Sequence, residues 1–206
     1  MAVVLTPKLD AINTMLSVIA ESPVTALGEN QDAIQAEFIL DETNRRIQAQ
    51  GWHFNTYQQD MTVDAFGKIP VGTSNSRLDW PRTCEDDPDL VLRYNASTGV
   101  PEVYDRRHNV DTFEVGRIFK NVTCVQLLDF DRIPQVARDY IMISAARVFQ
   151  ARNLGSGVRD RFSESDEFRA RAMMRLEDSR TGDYSIATGR LSQAIRRRNS
   201  PRRIGY

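Results

Sequence analysis

The sequence is short of the residues that most enzyme chemistry needs. It has two histidines, His53 and His108, and two cysteines, Cys84 and Cys124, in 206 residues. Two cysteines this far apart frame neither a disulfide scaffold nor a metal site, so reduced thiols are the default. There is no HExxH, CxxC, GxSxG or phosphate-binding glycine loop. His53, between Trp52 and Phe54, reads as a structural strand residue, and so does Cys124, which alternates with Val122 and Gln126. Cys84 stands beside Glu85 and Asp86, which disfavour its thiolate and make it a poor nucleophile. The acidic run Glu85, Asp86, Asp87 and Asp89 lacks the glycine turn and ligand spacing of a calcium loop, and Pro88 makes it a solvated loop. No catalytic residue, metal ligand or cofactor is therefore expected.

Long apolar runs are missing as well. None approaches the roughly 20 residues that cross a bilayer. The opening MAVVLTPKLDA has neither the basic start nor the long apolar core of a signal peptide. The expectation is a chain that stays in the compartment where it is made and does not insert into membranes.

The third absence is local. After Asp183 there is no acidic side chain, while six arginines follow: Arg190, Arg196, Arg197, Arg198, Arg202 and Arg203. The net charge of −1 thus hides a tail of +6 behind 183 residues with 21 basic and 28 acidic side chains, a balance of −7. Such a block, with Ser200, Pro201 and Gly205 and few apolar residues, reads as an arm with little structure of its own. Its partner is anionic, phosphate or an acidic protein surface, and arginine suits both through paired hydrogen bonds. Leu191, Ala194 and Ile195 supply a short apolar anchor at helical spacing. The plain alternative is a solubilising tail.

What is present is mostly helix pattern. The clearest stretch is Asn30–Phe54. Asn30 is placed to cap a helix whose stripe is Ala36, Leu40, Thr43 and Ile47, widened by Phe38 and Ile39. Arg45 and Arg46 lie near its end and Gly51 stops it. Trp52 and Phe54 then alternate as in a strand, and the two aromatics are expected to be buried where the helical part meets the β-prone segment. Before this, Thr6 and Pro7 read as cap and first helical residue of a helix carrying Leu9, Ile12, Leu16 and Ile19 and ending before Pro23. From Trp52 to about Asp131, prolines and glycines separate β-prone runs at 61–66, 90–94, 100–104 and 121–128, with 95–99 as a hairpin-length loop. Helix pattern returns from Pro134 to Leu154, with Val136, Tyr140, Ile143 and Ala146 on one stripe and Val148 and Phe149 beside it. Another helix runs from Val158 to Arg180, with Phe168, Ala172 and Leu176 facing inward and Asp166, Glu167, Arg169 and Arg171 on its surface. The expected fold is α+β: a four-helix body of two helical hairpins from residues 1–51 and 132–182, a β-rich insertion over 52–131, and an extended basic C-terminal arm over 183–206.

Four stretches in order also carry a family resemblance: Leu16 to Leu27 (LSVIAESPVTAL), Arg46 to Asn55 with its Gly51-Trp52-His53-Phe54-Asn55, Val103 to Phe113 (VYDRRHNVDTF), and Ile133 to Gly155 (IPQVARDYIMISAARVFQARNLG). Together they resemble the tail tubular protein A family, the adaptors of short-tailed bacteriophages, over roughly residues 10–180. The first stretch departs in one place, with Ala20 where a glycine is expected. The resemblance implies a structural virion protein without enzymatic activity. It implies a homo-oligomeric ring, twelve-fold in the family, with the portal above, the tail nozzle (tail tubular protein B) below and tail fibres at its edge. Such a ring helps retain packaged DNA and conducts it during ejection, and it is made and assembled in the cytoplasm of the bacterial host. In this frame Arg169 and Arg171 are expected at the ring interface, Gly51, Trp52 and Phe54 at the structural junction, and the arm on the portal through Arg190, Leu191, Ile195, Arg196, Arg197, Arg198, Arg202 and Arg203. Two other classes stand beside it: a nucleic-acid-binding protein using the arginine tail on phosphates, and an enzyme dependent on His53, Cys84 or the acidic run.

Overall fold

The computed structural model describes residues 5–71, 79–83, 89–96, 99–154 and 164–181, with 79–83 as backbone. The fold is mixed α+β, with helices before and after a set of antiparallel strands. Two helices, α1 (Lys8–Val18) and α2 (Gln31–Gln48), precede a single 3-10 turn at His53–Asn55. Strands β1 (Thr56–Thr62), β2 (Asp79–Thr83), β3 (Leu90–Tyr94), β4 (Pro101–Asp105) and β5 (Ile118–Gln126) come next. A second 3-10 turn, Phe130–Arg132, leads into α3 (Gln135–Leu154) and α4 (Glu164–Thr181).

The helices share one apolar core. Ala11, Ile12, Met15 and Leu16 of α1 meet Ala36, Ile39, Leu40 and Ile47 of α2 and Ile141, Ala145 and Phe149 of α3. Asn30 caps α2, its side chain accepting from the Ala33 N–H at 2.7 Å. Phe38 does not widen the buried stripe: it is 61% exposed. Thr6 does not cap α1 either. Its hydroxyl accepts from Gln135, and the Lys8 N–H at the helix start donates to Asp131 Oδ1 at 2.9 Å, so the cap comes from the segment before α3. Pro7 sits at the cap position, one residue before the helix. The Lys8 ammonium bridges α1 to Glu37 (2.9 Å) and Asp41 (3.0 Å) of α2. Burial alone would lower its pKa, but those two carboxylates outweigh burial and raise it. On α3 the expected Tyr140, Ala146 and Phe149 are buried, and so are Ala137, Ile141 and Ala145, while Val136, Ile143 and Val148 are half-buried. The helix packs against α1, α2 and α4, which buries a wider arc than one stripe and takes in Arg138, Ser144 and Gln150.

Ala20 ends α1 in the left-handed region, at φ +62°. The Glu21 N–H reaches back to the Leu16 carbonyl (3.2 Å) and the Ala20 N–H to that of Ser17 (3.3 Å), the paired bonds of a Schellman end. A Cβ is strained at this φ, so glycine is the residue the geometry favours. Ala20→Gly should stabilise the protein by about 1 kcal/mol, read as a higher urea midpoint at unchanged slope. An unchanged or lower midpoint would show that the strain is relieved elsewhere.

The strands make two sheets. One has the order β1-β5-β2, antiparallel throughout, and the other is the β3-β4 hairpin. Their inner faces form a second apolar cluster with Met61, Val63, Ile69, Leu90, Val103, Phe119, Val122 and Cys124. The run expected at 61–66 is misplaced. β1 begins at Thr56, and Asp64 turns the chain by accepting from the N–H groups of Phe66 and Lys68, leaving Phe66 on the surface. Polar Gln58, Gln59 and Asp60 hide β1 from an apolar pattern. β2 escapes because it contains Pro81, which is tolerated on an edge strand beside a register shift.

The VYDRRHNVDTF stretch builds a turn around one carboxylate. Buried Asp105 accepts from the N–H groups of Arg107 (2.9 Å), His108 (3.4 Å) and Asp89 (3.3 Å), and from His108 Nδ1 at 2.5 Å. Burial would raise its pKa, but the His108 side chain and these N–H groups outweigh burial and hold it below the usual carboxylate value. A lowered carboxyl pKa gives stability that is complete above about pH 4, the unfolded value, and is lost as pH falls through the lower folded one. Acid titration followed by the Arg107 and His108 amide NMR signals should therefore show the turn loosening below about pH 4. Asp105→Asn should be less stable at neutral pH and lack this acid-dependent loss. The same acid slope in that variant would move the effect to another carboxylate.

Candidate partner-binding site

The junction between helices and sheets is tied by buried amides. Gln48 at the end of α2 donates to the Leu128 carbonyl (2.8 Å) and accepts from the Leu128 N–H (2.8 Å), pinning the chain that leaves β5. Asn55 donates to the carbonyls of Gln48 (2.9 Å) and Gln126 (3.0 Å) and accepts from the Trp52 N–H (2.7 Å). The Trp52 indole donates to the Ile47 carbonyl at 2.8 Å and is 6% exposed. Gly51, at φ +73°, makes the reversal after α2. The aromatics differ from the strand expectation: Trp52 precedes a 3-10 turn containing His53 and Phe54, and only Trp52 is buried while Phe54 is half-buried against the helical core. The His53 side chain is exposed, and its backbone N–H donates to Asp178 of α4 at 2.6 Å. Sequence pattern singled out the aromatics and missed Gln48, Asn55 and Asn44, whose side-chain amide donates to the Leu128 carbonyl at 3.2 Å. Their signal was available, since polar residues on the buried side of an apolar stripe need partners.

Beside this junction lies a mostly apolar cleft of about 200 Å³ between Trp52, Phe54, Val136, Ala137 and Met174, with Glu177 and Asp178 among its polar lining. Among the described residues no group of three or more His, Cys, Asp or Glu side chains is arranged to hold a metal ion.

α4 is held on by a few contacts. Met174 is its one fully buried apolar residue, and Glu167 takes hydrogen bonds from Ser144 (2.8 Å) and Arg147 of α3. The expected inward face of Phe168, Ala172 and Leu176 is reversed. These side chains are exposed, Phe168 by 72%, while Ala170 and Met174 face the core. The pattern is two-sided in apolar residues, so periodicity alone could not choose the face. Arg169 and Arg171 are both exposed, and Arg169 pairs with Asp166 of its own helix at 3.9 Å. The arm residues Arg190, Leu191, Ile195, Arg196, Arg197, Arg198, Arg202 and Arg203 lie outside the described residues, and so do Cys84 and Glu85 to Asp87.

The buried amides thus serve the junction, while α4 turns Phe168, Ala172 and Leu176 outward. The family model for tail tubular proteins matches residues 9–184, well over half of the chain. The chain belongs to the tail tubular protein family. That makes it a structural component of a phage tail, assembled there with other tail components. A comparison with curated proteins returned no match. The tail tubular match runs from α1 through α4 and stops before Arg190, so the arginine arm lies beyond it. No described helix is long and apolar enough to cross a membrane.

Proposed function

We propose that this tail tubular protein is the adaptor ring of a short-tailed phage, joining the portal to the tail nozzle. In this reading residues 1–51 and 132–182 are the ring-forming body of two helical hairpins, 52–131 reach toward the next tail component, and 183–206 are the arm that grips the portal. Tail fibres attach at the periphery, and about twelve copies surround a channel that retains DNA and conducts it at ejection. The protein carries no reaction of its own. The outward apolar and arginine-bearing face of α4 carries the reading, because a surface not used by the subunit's own core is what subunit contact requires. The acidic balance of residues 1–183 agrees with a lining that does not grip passing DNA.

Negative-stain microscopy of the purified chain, alone and mixed with portal, tests this: rings coaxial with the portal are expected. Arg169→Glu with Arg171→Glu should leave the circular dichroism spectrum intact and impair ring closure, since mismatched charges across an interface cost several kcal/mol. Unaltered oligomer size with portal present would remove these arginines from the interface. The nucleic-acid reading keeps one supporting observation, the six arginines beyond the family match. It requires DNA affinity that falls steeply with salt.

A further inference from the structure

The cleft at the junction is left open by the described residues, and α4 ends beside it. Thr181, the last residue of α4, lines it together with Glu177 and Asp178 from the preceding turn, with Phe54 and Val136 among its apolar walls. Phe54 and Val136 are only half-buried, so apolar surface remains uncovered there. The volume of about 200 Å³ falls below the roughly 300 Å³ at which small-molecule pockets begin. A dry cavity of about 150 Å³ already takes a benzene ring. The space is that of one aromatic side chain. From Glu177 to Asp183 the sequence offers no large apolar side chain, and Tyr184 is the first. It stands three residues past Thr181, a reach of at most about 10 Å. Gly182 lies between them, the residue type that most readily reverses a chain at a helix end. The family match also continues past α4 to residue 184 and so takes in this tyrosine.

We infer that Tyr184 of the same chain seats in this cleft, its ring against Phe54, Val136 and Met174 and its hydroxyl donating to a carboxylate of the polar lining, Glu177 or Asp178. An apolar cleft with acceptors in its lining selects an aromatic with a polar tip. The contact is one of apolar surface, since Asp183 beside the tyrosine brings no counter-charge to those carboxylates. Distance decides the occupant. A side chain tethered three residues away competes at an effective concentration on the order of millimolar, ahead of a second copy or another tail component. The seat clamps the end of α4, whose one fully buried apolar side chain is Met174, and fixes the root of the arginine arm at the junction of helices and sheets. This goes beyond the adaptor reading and stands whether or not the arm reaches a portal.

Methyl NMR of the full chain, without portal, tests the seat. Nuclear Overhauser contacts are expected from the Tyr184 ring to the methyl groups of Val136, Ala137 and Met174. Tyr184→Ser should shift those methyl signals, whereas Tyr184→Phe should leave them nearly in place, because the ring fills the space. Trypsin cleavage after Arg180 should become at least about tenfold faster in Tyr184→Ser, since cutting follows local opening of the helix end, and cleavage after Arg190 should change far less. Methyl signals that ignore Tyr184→Ser overturn the inference. So does equal acceleration at both arginines, which would mean general loosening. A shift on Ile186→Ser instead would give the cleft to that residue, and one that appears only as protein concentration rises would give it to a second copy, each overturning the assignment of Tyr184. Portal binding is measured separately, so its loss or retention on deleting 187–206 judges the adaptor reading without touching this result.

Discussion

Replacing Trp52 with alanine will destabilise the protein by about 3 to 5 kcal/mol, the range for removing a buried aromatic from a core. The indole is wedged where α2 gives way to β1, and its N–H satisfies the Ile47 carbonyl near the helix end. Alanine would leave that carbonyl without this donor and open a cavity continuous with the cleft against Ala137 and Met174. Urea unfolding followed by circular dichroism gives the number, and a loss below about 1 kcal/mol would mean that the amide ties hold the junction without the wedge. In a Trp80→Phe background, native Trp52 fluorescence should be blue-shifted, and emission like that of water-exposed indole would contradict the burial.

Deletion of residues 187–206 is expected to abolish portal binding while leaving the folded body and its nozzle contacts in place. A segment with six arginines and few apolar residues has little apolar surface of its own to bury, so the adaptor reading gives it a partner that supplies burial and counter-charge. In the adaptor role the portal is that partner, with Arg196, Arg197 and Arg198 against acidic surface and Leu191 and Ile195 as the apolar anchor. In the proposed ring many arms would act together at high effective concentration, so a weak single contact would become a firm collective one and its removal would be felt in full. Co-sedimentation with portal at ordinary salt measures the effect. If the truncated protein still assembled on portals and had lost only DNA affinity, the arm would be a nucleic-acid arm.

Much of the fold was legible because the relevant energies are local or periodic. The Asn30 cap, the Ala36–Leu40–Thr43–Ile47 stripe and the β3 strand at 90–94 follow from side-chain pattern alone. What pattern could not reach was set by distant partners. Thr6 looks like a cap until Asp131 supplies one across more than a hundred residues. β1 has too few apolar residues to announce itself, and its place comes from pairing with β5. The face of α4 could not be read because apolar residues occupy both sides, and the side turned inward is the one where Glu167 finds Ser144 and Arg147. Of the candidate site, Gly51 and Trp52 were read from the pattern, while the amides that hold them were passed over although polar side chains on a buried face signal them. The arm is visible as charge alone.

The register of β1 and β5 has a consequence for how the chain folds. Thr56 pairs with Val125, so the strand leaving the helical core and the strand returning to it are neighbours at their ends. The long loop between α2 and α3 must close before Ile141, Ala145 and Phe149 can reach Ile39 and Leu40, and closing it carries an entropy cost that grows slowly with length. One closure event serves both contacts: when β5 zips onto β1, α3 is delivered beside α2, and when α3 docks first, the strand ends are brought together. The rate-limiting step should therefore be common to helices and sheets, and probes in Trp52 and in Phe119 should report a single folding phase.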